Sequence, residues 1–228
     1  MSTALATDNP SSRTAGPGYQ LIKRALDLLL SFAFVVLLLP LWLLVAILIK
    51  LDSRGPVLFT NTVVGKDGRQ FTIYKFRSMH PASNRERAEH RQDVMRNYSE
   101  GRATAVDEQG RPVFKTAFVD ASRITRVGAF LRRSSLDEAP QFWDVLRGEM
   151  SVVGPRPALP YEAELYDEGQ RRRFSVKPGL TGLYQVSARN RVPIGEMVRL
   201  DLEYAERQSL WLDLIIMAKT PVAMFSGI

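Results

Sequence analysis

The chain predicts an α/β fold of the α+β kind, a small mixed domain tied to a membrane by an N-terminal helix. Three observations lead there. Residues 28–49 carry no charged side chain. Residues 57–76 read as two strands around a Gly65-Lys66-Asp67-Gly68 turn, the pattern of a β-hairpin. The remainder is a series of helical stretches punctuated by Gly and Pro. With 228 residues and 45% hydrophobic content, the chain can bury one sizeable core and needs no second.

Residues 1–20 are rich in Ser, Thr, Ala, Pro and Gly and predict a flexible tail, too polar for a signal peptide. As a helix, the 28–49 run measures roughly 33 Å, close to a bilayer core of about 30 Å. It has no polar face, which a helix on a soluble core would show. Lys23 and Arg24 flank one end, Lys50 and Arg54 the other. Trp42 suits an interface, and Asp27 can pair with Lys23 or Arg24 near the headgroups. A crossing helix favours Lys and Arg on its cytoplasmic side only, yet both ends are basic. Pro40 removes one helical hydrogen bond and bends the axis. These residues fit a spanning helix and a re-entrant hairpin equally. The boundaries are 1–20 for the tail, 21–52 for the membrane segment and 53–228 for the globular domain.

Asp52-Ser53-Arg54-Gly55-Pro56 makes a turn into the hairpin. Residues 81–112 are highly charged and predict a surface helix and then a loop, the part most variable in conformation. Residues 130–147 lead through a carboxylate pair into a helix that Gly148 ends. Gly154-Pro155-Arg156-Pro157 is a rigid extended loop. Residues 161–174 predict one polar helix, 177–182 a turn, and 196–208 an amphipathic helix. The apolar stretch 210–217 is too short to span a bilayer and suits the core or the interface.

The formal net charge of +7 points to anionic partners, although cytoplasmic membrane faces favour basic surfaces too. Without Cys there is no disulfide and no thiolate chemistry. Two His, His80 and His90, do not suit a zinc site; a metal here would be a hard, oxygen-ligated ion such as Mg²⁺. There is no phosphate-binding P-loop and no nucleophile elbow. Nucleic acid is not an expected partner, because the basic segments lack interleaved aromatics.

The candidate chemistry lies in Ser135-Leu136-Asp137-Glu138-Ala139-Pro140. Pro140 fits only the first turn of a helix, so the carboxylates stand at or just before its start. A helix N-terminus stabilises negative charge, so both should stay ionised, able to bind Mg²⁺ or to attack phosphorus. The plain alternative is a capping box, Ser135 with Glu138. Arg123, Arg126, Arg132 and Arg133 precede the pair, and Lys75 and Arg77 close a strand. Arginine suits phosphate because its planar fork makes two parallel charge-assisted bonds. Arg156, fixed between Pro155 and Pro157, is pre-organised as a ligand contact.

Seven strings in order resemble the bacterial sugar transferase family of monotopic polyprenyl-phosphate phosphoglycosyl transferases. They are Lys23-Arg24-x-x-Asp27, Gly55-Pro56-Val57-Leu58-Phe59, Tyr74-Lys75-Phe76-Arg77-Ser78-Met79, Ser135 to Gln141, Gly148 to Pro157, Lys177 to Gly182, and Asp201-x-x-Tyr204 with Ser209-Leu210-x-x-Asp213. The resemblance implies transfer of a sugar 1-phosphate from a UDP-sugar to undecaprenyl phosphate, giving UMP and a polyprenyl diphosphate sugar. It implies a ping-pong order through a phosphosugar on Asp137, with Glu138 its acidic partner and Mg²⁺ on both carboxylates. Arg132, with Lys75 and Arg77, would bind phosphate, and Pro155, Arg156 and Pro157 the nucleotide. Lys23, Arg24, Asp27 and Pro40 would shape the membrane segment, with Pro40 at the break of a re-entrant hairpin. The catalytic domain, with interfacial amphipathic helices, would then lie on the cytoplasmic face of the bacterial inner membrane, among its lipids. The step would open a polysaccharide or glycoconjugate pathway, such as exopolysaccharide or lipopolysaccharide biosynthesis, in a small, core-only form compatible with a homodimer. Departures are Ala139 for a usual Leu, Trp143-Asp144 for an apolar-Asn pair, and a longer 81–122 insert. The rival classes are a glycosyltransferase that releases UDP and a membrane-tethered module that binds anions without turnover.

Overall fold

The computed structural model describes residues 16–99, 105–106, 112–113, 121–187 and 194–226. Helix α1 (Pro17–Asp52) leads into the antiparallel hairpin β1 (Leu58–Val64) and β2 (Gln70–Phe76). Helix α2 (Asn84–Ser99) and the two-residue pair β3 (Ala105–Val106) and β4 (Pro112–Val113) follow. Next come α3 (Arg126–Arg133), α4 (Gln141–Arg147) and β5 (Ser151–Val153). Then come α5 (Pro160–Leu165), α6 (Glu168–Arg171) and β6 (Gly179–Thr181), which pairs parallel with β5. Helices α7 (Leu183–Ser187), α8 (Ile194–Arg207) and α9 (Leu210–Ser226) close the chain. The architecture is mixed: many helices around small two-stranded sheets.

The hairpin forms where expected. Asp67 takes a positive φ of 57° and Gly68 one of 74° at its tip, the conformation that the Asp-Gly pair permits. The stretch 161–174 is not one helix. Asp167 caps α6 in a reciprocal pair with Gln170, so a new helix starts where the sequence pattern runs on. Helix α9 extends nine residues past the apolar stretch 210–217, through Pro221. The short parallel pair β5–β6 is not expected from the sequence, where 177–182 reads as a turn and 151–153 carries no strand reading, since three residues are too few for periodicity to register.

Helix α1 is long and apolar enough to cross a membrane, and most of its large side chains between Leu28 and Leu48 are exposed. Pro40 lies inside it without ending it; the position expected as a break is a helical one lacking a single backbone bond. The helix starts at Pro17, within the stretch expected as tail. Its polar residues serve the protein. Asp27 is buried and accepts hydrogen bonds from Val152 N–H at 2.9 Å and Ser151 Oγ at 3.1 Å. Lys23 pairs with Asp213 at 2.9 Å, and Arg24 donates to the Val145 and Leu146 carbonyls at 2.7 and 3.0 Å. The expected pairing of Asp27 with Lys23 or Arg24 is therefore replaced by bonds to β5, because both cations have partners of their own. Trp42, expected at an interface, is half-buried edge-on against Phe76.

The other end is held as firmly. Asp52 accepts the Val127 N–H at the start of α3, at 2.9 Å. Arg77 donates to Ser53 O at 2.7 Å and to Ile49 O at 3.4 Å, satisfying carbonyls that a helix end leaves open. Between the ends, Val45 and Ile49 pack with Phe76, Leu131 and Ala139, and Phe34 stacks on Phe142 with ring centroids 4.2 Å apart.

Asp27→Ala leaves the half-buried Val152 N–H without its acceptor, a loss of about 1–3 kcal/mol. Thermal unfolding of the detergent-solubilised protein should show a Tm lowered by several degrees. Asp27→Asn, which keeps one carbonyl oxygen, should lose less. An unchanged Tm for the Ala variant would rule out a stabilising role for this contact.

Candidate active site

The site is built where α1, α3 and the hairpin meet. Thr125 caps α3 by accepting the Gly128 N–H at 3.0 Å. Gly128 lies so close to the chain at Ser78 that a Cβ would stand 1.9 Å from the Ser78 carbonyl oxygen; any side chain there would push α3 away. Helix α3 ends at Ser134, whose hydroxyl donates to Phe130 O at 2.9 Å. Ser135 then takes φ 55°, a left-handed conformation costly for a residue with a Cβ and concentrated at functional turns. A 3₁₀ turn over Leu136–Glu138 carries both carboxylates, and α4 starts after Pro140.

The pair therefore stands just ahead of a helix, as the position of Pro140 requires. The capping-box alternative does not hold: Ser135 makes no side-chain capping bond to this turn. Lys75 Nζ donates to Glu138 Oε1 at 2.5 Å. Burial first, then the Glu138 charge, push the Asp137 carboxyl up to about 6, while Lys75 and Arg132 pull the other way. Both carboxylates are expected to stay ionised; a carboxyl near 6 is still mostly ionised at neutral pH, but its proton affinity is raised rather than lowered as at a helix N-terminus. A 3₁₀ turn supplies few aligned N–H dipoles, and desolvation outweighs them. Lys75, Arg132, Asp137 and Glu138 come together: two carboxylates, one of them (Asp137) with a raised proton affinity, and two cations.

The bacterial sugar transferase family matches residues 18–227. The chain belongs to this family. A UDP-galactose-lipid carrier transferase from Erwinia amylovora is 39% identical over 210 residues, covering 92% of this chain and 42% of that protein. The exopolysaccharide production protein ExoY from Rhizobium meliloti is 39% identical over 198 residues, 87% of this chain and 83% of that protein. A UDP-glucose:undecaprenyl-phosphate glucose-1-phosphate transferase from Escherichia coli is 38% identical over 209 residues, 88% of this chain and 39% of that protein. The chain thus spans less than half the length of the first and third relatives and lines up with most of ExoY.

Not every basic residue expected in the site is placed there. Arg77 is buried, and its guanidinium holds the end of α1 rather than facing the carboxylates. Arg123 reaches back to the His80 carbonyl, and Arg133 is exposed. Arg132 is half-buried, 3.7 Å from the Met79 sulfur. The Pro155-Arg156-Pro157 loop is held from behind: Arg156 lies 3.3 Å from the buried Glu162, and Pro155 O accepts the Gly179 N–H at 2.8 Å.

Residues given no role in the sequence argument build that support. Glu162 also accepts the Leu159 N–H at 2.7 Å. Arg173 is buried and bonds to Asp201, the Arg156 carbonyl and the Tyr166 hydroxyl. Asp201 was quoted only as part of a string; burial pushes its carboxyl up to about 6 against the pull of Arg173. The only signal in the sequence was the spacing of Asp201 and Tyr204 on one helix, which does not reveal a partner in another element.

A carboxyl raised to about 6 in the fold, against 3.8 unfolded, favours the folded state most below the lower value and loses that contribution as pH rises through the upper one. Asp137→Asn should therefore raise Tm at pH 7.5 and by less at pH 4. If ionised Asp137 is required for turnover, kcat/KM should rise with pH through about 6 rather than about 4. Equal Tm shifts at both pH values would count against the raised carboxyl.

Proposed function

We propose that this chain transfers a sugar 1-phosphate from a UDP-sugar to undecaprenyl phosphate, releasing UMP, as a phosphoglycosyl transferase. The observation that carries the reading is the convergence of Lys75 and Arg132 on the Asp137–Glu138 turn, packed beside a helix fit to enter a membrane. The names of the relatives support the substrate classes.

The geometry suits covalent catalysis. An Asp137 carboxylate oxygen attacks the sugar-linked phosphorus of the donor. The bond to the bridging oxygen breaks, and UMP leaves with that electron pair. An oxygen of the lipid phosphate then attacks the same phosphorus, and the Asp137 carboxylate leaves. Lys75 and Arg132 offset charge on the phosphates, while Lys75 also orients Glu138. Because Asp137 is half-buried, water is partly excluded from the phosphorylated carboxylate. The residues fit Mg²⁺: two adjacent hard oxygen donors suit an ion that keeps several waters and shares substrate phosphates. Asp137 and Glu138 would hold it, and it would neutralise charge on the leaving phosphate.

Both ends of α1 bond to one globular domain, Lys23 through Asp213 and Asp52 through Val127. A helix crossing a bilayer core of about 30 Å would carry one end out of that domain's reach. This supports entry and exit of the helix on one face, a re-entrant arrangement in which α1 bends at Pro40 without a break, with the domain on the cytoplasmic side of the inner membrane. Exposed Trp211, Leu214 and Val222 on α9 suit an interfacial position.

Enzyme given a UDP-sugar labelled in the β-phosphate, with Mg²⁺ and no acceptor, should release a near-stoichiometric burst of UMP and keep label on protein. Polyprenyl phosphate should then move that label to lipid. EDTA and Asp137→Asn should each abolish the burst. Release of UDP would indicate glycosyl transfer, and no nucleotide product a binding module. Absence of UMP and label until acceptor arrives would replace the covalent step with direct transfer.

A single Cys replacing Ser12 in this Cys-free chain tests the topology. An impermeant maleimide added to intact cells should leave it unlabelled, and permeabilised cells should label. Labelling in intact cells would mean that α1 crosses.

A further inference from the structure

Behind the dyad lies a carboxylate that the proposed reaction does not use. Asp144, in α4, is fully buried. Its Oδ2 accepts the Tyr74 N–H of β2 at 3.2 Å. Its Oδ1 is buried with no hydrogen-bond partner, and Arg147 Nη1 stands 4.0 Å away. Val63, Ile73, Val145 and Met150 form the apolar cluster between the hairpin and α4. Such a site strongly disfavours a charged oxygen without a partner; burial pushes this carboxyl up to about 6. An aspartate held there despite that cost invites a role for the one bond it makes.

That bond joins two halves of the site. Tyr74 is adjacent to Lys75, whose amine bonds Glu138. Helix α4 begins just beyond Glu138 and Pro140. The Asp144–Tyr74 contact is thus a side-chain bond from the helix behind the carboxylates to the strand that brings their lysine. We propose that Asp144 is a positioning residue: by accepting the Tyr74 N–H it fixes β2 against α4 and holds the Lys75 amine on Glu138 during turnover. The inference rests on the reading of Asp137 and Glu138 as the reacting pair. An acceptor oxygen is the requirement, and the charge is not, so an asparagine should serve in its place.

The test measures UMP release by purified full-length enzyme with undecaprenyl phosphate and Mg²⁺. The donor is whichever of UDP-glucose, UDP-galactose and UDP-N-acetylgalactosamine the wild type uses fastest. Asp144→Ala should lose at least tenfold in kcat while KM for the donor stays within twofold. Asp144→Asn should stay within threefold of wild type in both. Asp144→Leu, which keeps the shape of the side chain and suits the apolar site, takes the place of the Ala variant if that one unfolds below the assay temperature. A folded acceptor-free variant with wild-type kcat overturns the inference, as does equal loss of kcat in the Asn and acceptor-free variants. Wild type that releases no UMP from any of the three donors defeats the underlying reading and the inference with it. Wild type that turns over, with unaffected variants, defeats the inference alone.

Discussion

The structure depends on a helix that gives its apolar side chains to the surroundings and its polar ones to the protein. In α1, Lys23, Arg24, Asp27 and Asp52 each bond to a different element of the globular domain. Asp27 is decisive because it is buried and bonds to the β5 backbone. A carboxylate in an apolar helix is costly unless its oxygens are satisfied. Here Oδ1 accepts both bonds from β5, which form only when the domain is docked in one register. The long apolar helix is thereby a structural member of the domain, not a tether, and Phe34, Val45 and Ile49 complete the contact.

The carboxylate turn inherits that register. Leu136 and Ala139 bracket Asp137 and Glu138 and both pack into the cluster formed with Val45 and Ile49 of α1. The turn is short, begins with a left-handed serine and is followed by a proline, so little freedom remains for the carboxylates. Charge sets their properties. Burial raises the proton affinity of Asp137, and the adjacent Glu138 charge raises it further. Lys75 and Arg132 return part of that penalty, which leaves Asp137 with a carboxyl near 6 instead of a permanently neutral one. A carboxylate that is ionised at neutral pH yet poorly solvated is a better nucleophile than one deep in water or one fully paired.

Much of this was legible from residues that act locally. The hairpin followed from Asp67-Gly68 between alternating strands, the end of α4 from Gly148, and the place of the carboxylates from Pro140. What escaped were pairings between distant elements. Arg77 sits in a string with Lys75 and was read as a phosphate ligand; only the fold reveals that the start of the domain ends a helix whose carbonyls need a donor. Arg173 follows Arg171 and Arg172 directly, yet of the three it is the buried one, because Asp201 on α8 reaches it. Asp27 looked like a headgroup contact because its partners on β5 lie far away in sequence. Local chemistry writes itself into spacing, whereas long-range electrostatics is visible only when the partner is.

On the proposed reaction, a carboxylate must meet a soluble nucleotide sugar and then a phosphate that never leaves the bilayer. A site on a flexible tether would reach both, but at a depth that varies from moment to moment. Here Glu138 is held by Lys75 of β2, Ala139 packs on α1, and α1 is bonded at both ends to the same domain. The depth of the carboxylates relative to the membrane helix is therefore fixed by protein contacts, not by where the domain happens to float. A lipid phosphate confined to the headgroup layer then needs only lateral diffusion to arrive in range. Pre-organisation of this kind removes translational freedom before the chemistry begins. It explains why the polar residues of α1 are worth burying in contacts with the domain: they convert a membrane anchor into part of the active site's frame.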